Sequence, residues 1–463
     1  MGDDSRQVLE RIDRERDSYL EELKDYLRIP SISTDSDYSA DVLRCAEFLR
    51  EKMSAAGLSA ERLETDGYPL VYGEWLGAEG KPTLLFYGHY DVQPPDPLEE
   101  WRNPPFEPTV EGDRLVARGA TDDKGQSFAH LKAVAAVLAE TGELPVNVKF
   151  LIEGEEESGG ESIDTFVRRD GGKKLACDAV IVSDSSMYAP GVPSLLYGLK
   201  GLAYMEISIV GPKQDLHSGS YGGGVANPGN AMAHIISRLV DPKSGRISIP
   251  GFYDDVVPLE EWEREGFAKL PFDEAEYCRS LGITETFGEQ GYTTLERVWA
   301  RPTCDVNGLY CGYQGAGAKT VLPAKAGAKV SMRLVPNQQP EKIAKLFSDY
   351  VCQVAPPGVT IEVKNVHGAE AVLIDAKGPI SEAAMQALEE VWGQAPVLVR
   401  EGGSIPVVAT FANVLKVPIL LMGFGLSDDA LHAPNEKFNI SHFYNGVRTT
   451  VRLLDLVGAS DRE

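Results

Sequence analysis

The sequence predicts an α/β protein, a helix-covered and mostly parallel sheet interrupted by an inserted α+β domain. Three observations carry that expectation. Apolar strand-like runs alternate with amphipathic helical stretches over the first 200 residues. After Gly201 the strands become one-sided, apolar residues alternating with polar ones, and near residue 369 the first pattern returns. At 463 residues the chain is also too long for one core. The boundaries read this way are 1–200 with 369–463 for one domain and 201–368 for the insertion.

The elements follow in order. Val8, Leu9, Ile12, Tyr19, Leu20, Leu23 and Leu27 recur at helical spacing up to Ile29-Pro30, and Asp41–Ala56 repeats the pattern. TLLFYGHYDV reads as a strand, GQSFAHLKAVAAVLAETG (Gly125–Gly142) as an amphipathic helix, VNVKFLIEGEEE as a strand, SIDTFVRRD as a short helix and CDAVIVSD as a third strand. In the insertion, GLAYMEISIVG and AKTVLPAKAGAKVSMRLVP read as strands. A helix is expected around Ala231–Leu239, and another over PEKIAKLFSDYVCQV. SEAAMQALEEVWG and the apolar VPILLMGFG resume the α/β alternation.

Composition narrows the function. Lys plus Arg number 45 against 70 Asp plus Glu, a formal charge of −25, which argues against nucleic acid or an anionic membrane as partner. Six cysteines lie scattered without a CxxC pair, as reduced thiols of a cytoplasmic protein would. The N-terminal MGDDSRQVLERIDRERD is polar and charged, so no signal peptide is expected, and no apolar run reaches the ~18 residues of a spanning helix.

Chemistry-bearing residues gather at one kind of position. GHYD (His89, Asp91), RGATDDKG (Asp122, Asp123), EGEEESGG (Glu155, Glu156, Glu157) and VSDSS (Asp184) each fall at the C-terminal end of an expected strand, and DDALHAPNE with His432 follows the late strand. In an open α/β sheet those ends form the ligand crevice. Each segment alone has a plainer reading: a strand-end polar pair, a turn, a solvated glutamate run, a helix cap. Their common placement is what lifts the set. Carboxylates so concentrated repel one another, divalent cations would relieve that, and mixed imidazole and carboxylate donors suit zinc or manganese.

Taken together, GHYDVQP, RGATDDKG, EGEEESGG, DLHSG, KTVLPAKAGAKVSMRLVPN, REGGSIPV and GFGLSDDALHAPNE resemble the di-metal aminoacylase/carboxypeptidase family, and within it the non-specific dipeptidases of carnosinase type. The resemblance runs from about His89 to Glu436. It implies a catalytic domain and an inserted lid that also forms a two-fold homodimer, with small peptides as substrate. By motif position His89 and Asp184 would ligate one metal, Glu157 and His432 a second, and Asp122 would bridge both. Asp122–Asp123 would carry the family's cis peptide. Asp91 would hydrogen-bond the His89 imidazole. Glu156 would be the general base, the register being anchored by Glu153-Gly154 and Ser158-Gly159. His217 of DLHSG would polarise the scissile carbonyl, reaching into the neighbouring subunit's site. Thr320 and Arg333 would hold the substrate's C-terminal carboxylate. Gly402, Gly403 and Ser404 would line the substrate site, with Glu401 and His367 beside them, although HGAEAVLI lacks the proline the family carries after its HGxx. His130, His234 and His442 are expected to be structural.

The expected activity is hydrolysis of dipeptides bearing a free C-terminal carboxylate. An N-acyl amino acid amidohydrolase on the same machinery is the alternative, separated by whether the site recognises a free α-amino group or an acyl chain. A scaffold with an inactive fold is disfavoured because every ligand position and the base are filled, and a two-metal phosphatase because of the Arg/Thr carboxylate clamp.

Overall fold

The computed structural model describes residues 3–403 and 405–459, and the chain divides into two compact units. The first comprises 1–197, 374–399 and 410–463; the second comprises 198–373 together with 400–409. The sequence reading kept 400–409 with the first domain. In the structure this segment clusters with the second unit, where the Lys200 N–H faces the carbonyls of Glu401 and Gly403.

In the first unit, helices α1 (Asp3–Arg14), α2 (Arg16–Leu27) and α3 (Ser39–Ala55) lead into strands β1 (Ser59–Leu63), β2 (Leu70–Trp75) and β3 (Thr83–His89). Its main later elements are helix α4 (Lys124–Thr141), β4 (Asn147–Glu153), β5 (Ala179–Val182), helix α5 (Pro379–Trp392), β6 (Ile419–Leu421) and α6 (Ile440–Ala459). The expected single N-terminal helix is two, parted at Glu15 (φ −96°, ψ 9°). Within a nine-stranded sheet these six strands stand in the order β1-β2-β4-β3-β5-β6. The pairs β4/β3, β3/β5 and β5/β6 are parallel, whereas β1/β2 and β2/β4 are antiparallel.

β3 and β4 are buried along almost their whole length because the sheet has side chains packed on both faces. On one of them Phe86 stacks on Phe150 at 5.1 Å, within the core that α3, α4, α5 and α6 also enter. At the start of α4 the buried Lys124 amine donates to the carbonyls of Tyr26 (3.3 Å), in the last turn of α2, and Ile29 (2.7 Å), just past it. A cation at that helix end meets the negative pole of the dipole.

The second unit is a four-stranded antiparallel sheet. Strand Asp305–Cys311 pairs with Lys325–Leu334, which pairs with Gly201–Val210, which pairs with Thr360–Ala369. Burial alternates along Gly201–Val210, so Ala203, Met205, Ile207 and Ile209 face a core closed by helices Pro228–Ile236 and Pro340–Val354. Sequence reasoning did not foresee helices Glu261–Lys269, Glu274–Leu281 and Thr294–Ala300, short and mostly polar as they are.

Candidate metal centre

Parallel pairing aligns three strand ends. His89 stands opposite Glu153, and Tyr87 opposite Val182, so the residues just beyond β4 and β5 flank His89. Asp184 lies two residues past β5, while Glu156 and Glu157 sit in a single 3-10 turn past β4. Asp122 comes from the loop before α4, and its peptide to Asp123 is cis. His432 arrives on the loop after β6, with φ 58°.

These residues converge. The Asp122 carboxylate is bracketed by two imidazoles, His89 Nε2 at 3.0 Å from Oδ1 and His432 Nε2 at 2.9 Å from Oδ2. Asp184 Oδ2 lies 3.9 Å from His89 Nε2, and Glu157 Oε2 lies 3.4 Å from His432 Nε2. Two donor groups result, His89/Asp122/Asp184 and Asp122/Glu157/His432, each with its ligand atoms within 4.8 Å of one another. Asp122 belongs to both. The set of one imidazole and two carboxylates per group fits a pair of divalent ions sharing a carboxylate.

The imidazole is oriented from behind. His89 Nδ1 faces the Asp91 carbonyl at 3.1 Å and the Asp91 carboxylate Oδ1 at 3.4 Å. Both are acceptors, so Nδ1 keeps its proton, and Nε2 is the nitrogen that would give its lone pair to an ion. The nearer partner is the carbonyl. That carboxylate has further partners: it accepts the Glu156 N–H (3.3 Å), the Glu157 N–H (3.1 Å) and the Ser33 hydroxyl (2.6 Å). Asp91 therefore ties the turn of the two glutamates to the histidine. Gln93 Nε2 donates to Glu157 Oε2 at 2.8 Å.

Electrostatics shows a site strained by its own charge. Burial pushes Glu157 up to about 8, with Asp122 adding to the effect. Glu156 is raised well above the carboxylate range; burial is the main cause, the His89 charge opposes it, and Asp184 and Glu157 reinforce it. For Asp122, burial also favours the neutral acid, but the hydrogen bonds from His432 and His89 outweigh it and hold the carboxyl low. Desolvation likewise opposes charge on His89, and the contacts with Asp122 and Asp91 overcome it to raise that imidazole. Cations among these groups would relieve the carboxylate repulsion that adds to burial in raising Glu156 and Glu157.

The remaining expected residues belong to the second unit. His217 and Thr320 are neighbours: the pair Leu216–His217 is laddered to Val321–Leu322, and the Ser218 N–H donates to the Thr320 carbonyl at 3.1 Å. His217 is exposed, its Nδ1 accepting the Gly219 N–H at 3.0 Å. Arg333 pairs with Leu202, and His367, past a bulge at Asn365, pairs with Tyr204 and stacks on its ring at 5.2 Å. Both therefore stand on the outward face of the sheet. Burial raises the Glu401 carboxyl. Ser404 lies outside the described residues. His130 is buried between the hydroxyls of Ser183 (2.7 Å) and Thr450 (2.8 Å), His442 faces the Phe424 carbonyl, and His234 lies beside Arg238 on the surface.

Sequence reasoning assigned no role to Ser33, Gln93 or Glu436. A signal was present for Glu436, since it closes the DDALHAPNE segment quoted for His432. Gln93 likewise lies in the quoted GHYDVQP, whereas nothing in the local pattern distinguishes Ser33.

With the geometry established, comparison with known proteins adds the lineage. The family model described as Peptidase family M20/M25/M40 matches residues 85–456. The chain is 33% identical to the Cys-Gly metallodipeptidase dug1 of Schizosaccharomyces pombe, over 95% of this chain and 96% of that protein. It is 29% identical to the Beta-Ala-His dipeptidase of Homo sapiens, over 95% and 90% respectively. Among solved structures it is similar to an M20 family metallo-carboxypeptidase from Sulfolobus solfataricus, with a TM-score of 0.83 and 36% identity over 95% of this chain and 99% of that one.

Proposed function

The chain belongs to peptidase family M20/M25/M40, and on that premise we propose that it is a metal-dependent dipeptidase acting on short peptides with a free C-terminal carboxylate. The observation that carries the reading is the Asp122 carboxylate held between His89 and His432, with Asp184 and Glu157 completing two donor groups. We assign His89, Asp122 and Asp184 to one divalent ion and Asp122, Glu157 and His432 to the other, zinc or manganese by the chemistry of the donors. Bound there, the pair supplies Lewis-acid polarisation of the scissile carbonyl and acidifies a water.

The chain's own residues do the rest. Glu156, beside Glu157 on the turn that Asp91 fixes, takes a proton from the attacking water and returns it to the leaving amine. His217 donates to the oxygen of the carbonyl under attack. Arg333 grips the substrate carboxylate with two parallel N–H groups and Thr320 adds a hydroxyl. His367, Glu401, Gly402 and Gly403 line the substrate. In domain terms the first unit is catalytic, and the second is a lid that also forms a homodimer, in which His217 serves the partner's site. Exposed apolar residues on the edge strand Asp305–Cys311, namely Val306, Leu309 and Tyr310, support that pairing. The unpaired cysteines support a cytoplasmic setting.

The names of the relatives favour a peptidase over the N-acyl amino acid amidohydrolase reading. A panel of dipeptides, tripeptides and N-acetyl amino acids, assayed with zinc and with manganese, tests the proposal. Dipeptides are expected to be turned over fastest. Faster release from N-acetyl amino acids than from any dipeptide overturns it.

A further inference from the structure

We infer that Glu436 is a positioning residue that joins the loop of Asp122 to the segment of His432, and that this joint sets the affinity of both ion sites. The inference rests on the proposed function in taking Asp122 and His432 as ligands. Glu436 is wholly buried, and its carboxylate accepts four hydrogen bonds. Oε1 takes the N–H groups of Thr121 (3.0 Å) and of Asp122 itself (3.1 Å). Oε2 takes the Gly119 N–H (2.9 Å) and Arg118 Nη1 (2.7 Å). Three of the four donors are thus backbone amides of the loop that ends on Asp122.

Glu436 stands four residues beyond His432 on the same segment, which is bound to the loop at further points. The Glu436 carbonyl accepts the Ala117 N–H at 3.0 Å. The Thr121 hydroxyl lies 2.9 Å from Asp429 Oδ2 and 2.7 Å from the Lys437 carbonyl. An ion pair buried for stability alone is replaceable by apolar packing. Aliphatic side chains offer no acceptors to backbone amides, so such a replacement here frees the peptide planes that aim Asp122. Because Asp122 faces both imidazoles, a tilt of that carboxylate disturbs both donor groups at once. Gln93, by contrast, touches only Glu157 among the assigned ligands.

The test is metal binding by the chelator-stripped full chain, followed by competition with a chromophoric zinc chelator, for wild type, Glu436→Gln, Glu436→Asp and Gln93→Ala. Glu436→Gln sets an amide N–H₂ against two of the donors. Glu436→Asp keeps the charge facing Arg118 but is one methylene short of the loop. Both zinc affinities should fall about 10–100-fold in each Glu436 variant, the usual scale for a residue that orients ligands. Far-UV circular dichroism should be unchanged, kcat should recover at saturating zinc, and KM for a dipeptide should stay within about two-fold. Gln93→Ala should weaken one site only. If wild type binds two ions and the Glu436 variants bind both within two-fold, or lose only one, the inference is overturned. Should Glu436→Gln not fold, Glu436→Asp decides; if that is unfolded too, Glu436 serves stability and the inference fails. Wild type binding fewer than two ions strikes the ligand assignment instead.

Discussion

At the scale of single residues, the glutamate turn gives the sharpest test. Glu156 and Glu157 are adjacent, similarly buried and both raised, yet only Glu157 lies within reach of His432, at 3.4 Å. Glu156→Gln should keep two ions per chain while lowering kcat ~10²–10⁴-fold, the scale of losing a general base. Glu157→Gln should instead lose one ion. Elemental analysis beside steady-state kinetics checks both, and exchanged phenotypes show the register to be off by one. Arg333 carries a second prediction. Lysine in its place keeps the charge and loses the forked pair of donors, so KM should rise strongly for a dipeptide and much less for its C-terminally amidated analogue. Equal losses on both substrates mean that Arg333 supports the sheet rather than the substrate.

At the scale of elements, α4 is held to β5 and α6 through His130. Its two ring nitrogens meet the hydroxyls of Ser183 and Thr450, and burial lowers its pKa to about 3. The folded imidazole is therefore neutral where an unfolded one, with a pKa of ~6.5, takes up a proton. Between pH ~6.5 and ~3 the unfolded state binds more protons, so this group costs stability as pH falls, by about 1.4 kcal/mol per pH unit well inside that window. Glutamine at 130 can meet both hydroxyls without titrating. Urea unfolding of the chelator-stripped proteins should show the wild-type advantage over His130→Gln shrinking by about 1.6 kcal/mol between pH 6.5 and 5. A constant difference excludes His130 as a buried neutral group.

At the scale of the whole molecule, the proposed dimer makes a prediction that no single chain can. His217→Ala and Glu156→Ala should each be nearly inactive. Mixed and allowed to exchange, half the dimers are heterodimers with one complete site, restoring about a quarter of wild-type sites. A mixture cross-linked before mixing should stay inactive. If mass measurement shows exchange and no activity returns, His217 does not act across the subunit boundary.

The sequence alone determined the α/β frame and the candidate ligands, because both are written in local order. A buried parallel strand must be an apolar run, and a residue just past it must lie at the sheet's ligand edge, so His89, Glu157 and Asp184 were legible from position, whereas Asp122, on a loop that follows no strand of this sheet, and His432, eleven residues past its strand, were legible from motif alone. The polar helices between residues 261 and 300 were not legible, since their short segments lack a strong period and depend on packing. Only the tertiary structure decided what holds the candidate ligands in place. Asp91 receives the amides of Glu156 and Glu157 from 65 and 66 residues away, and Glu436 receives those of Thr121 and Asp122 from 315 and 314. A buried carboxylate must find donors somewhere, but the sequence does not say which amides will face it. That is settled when strand register brings distant loops to the same edge, and with it the aim of every candidate ligand in the cluster.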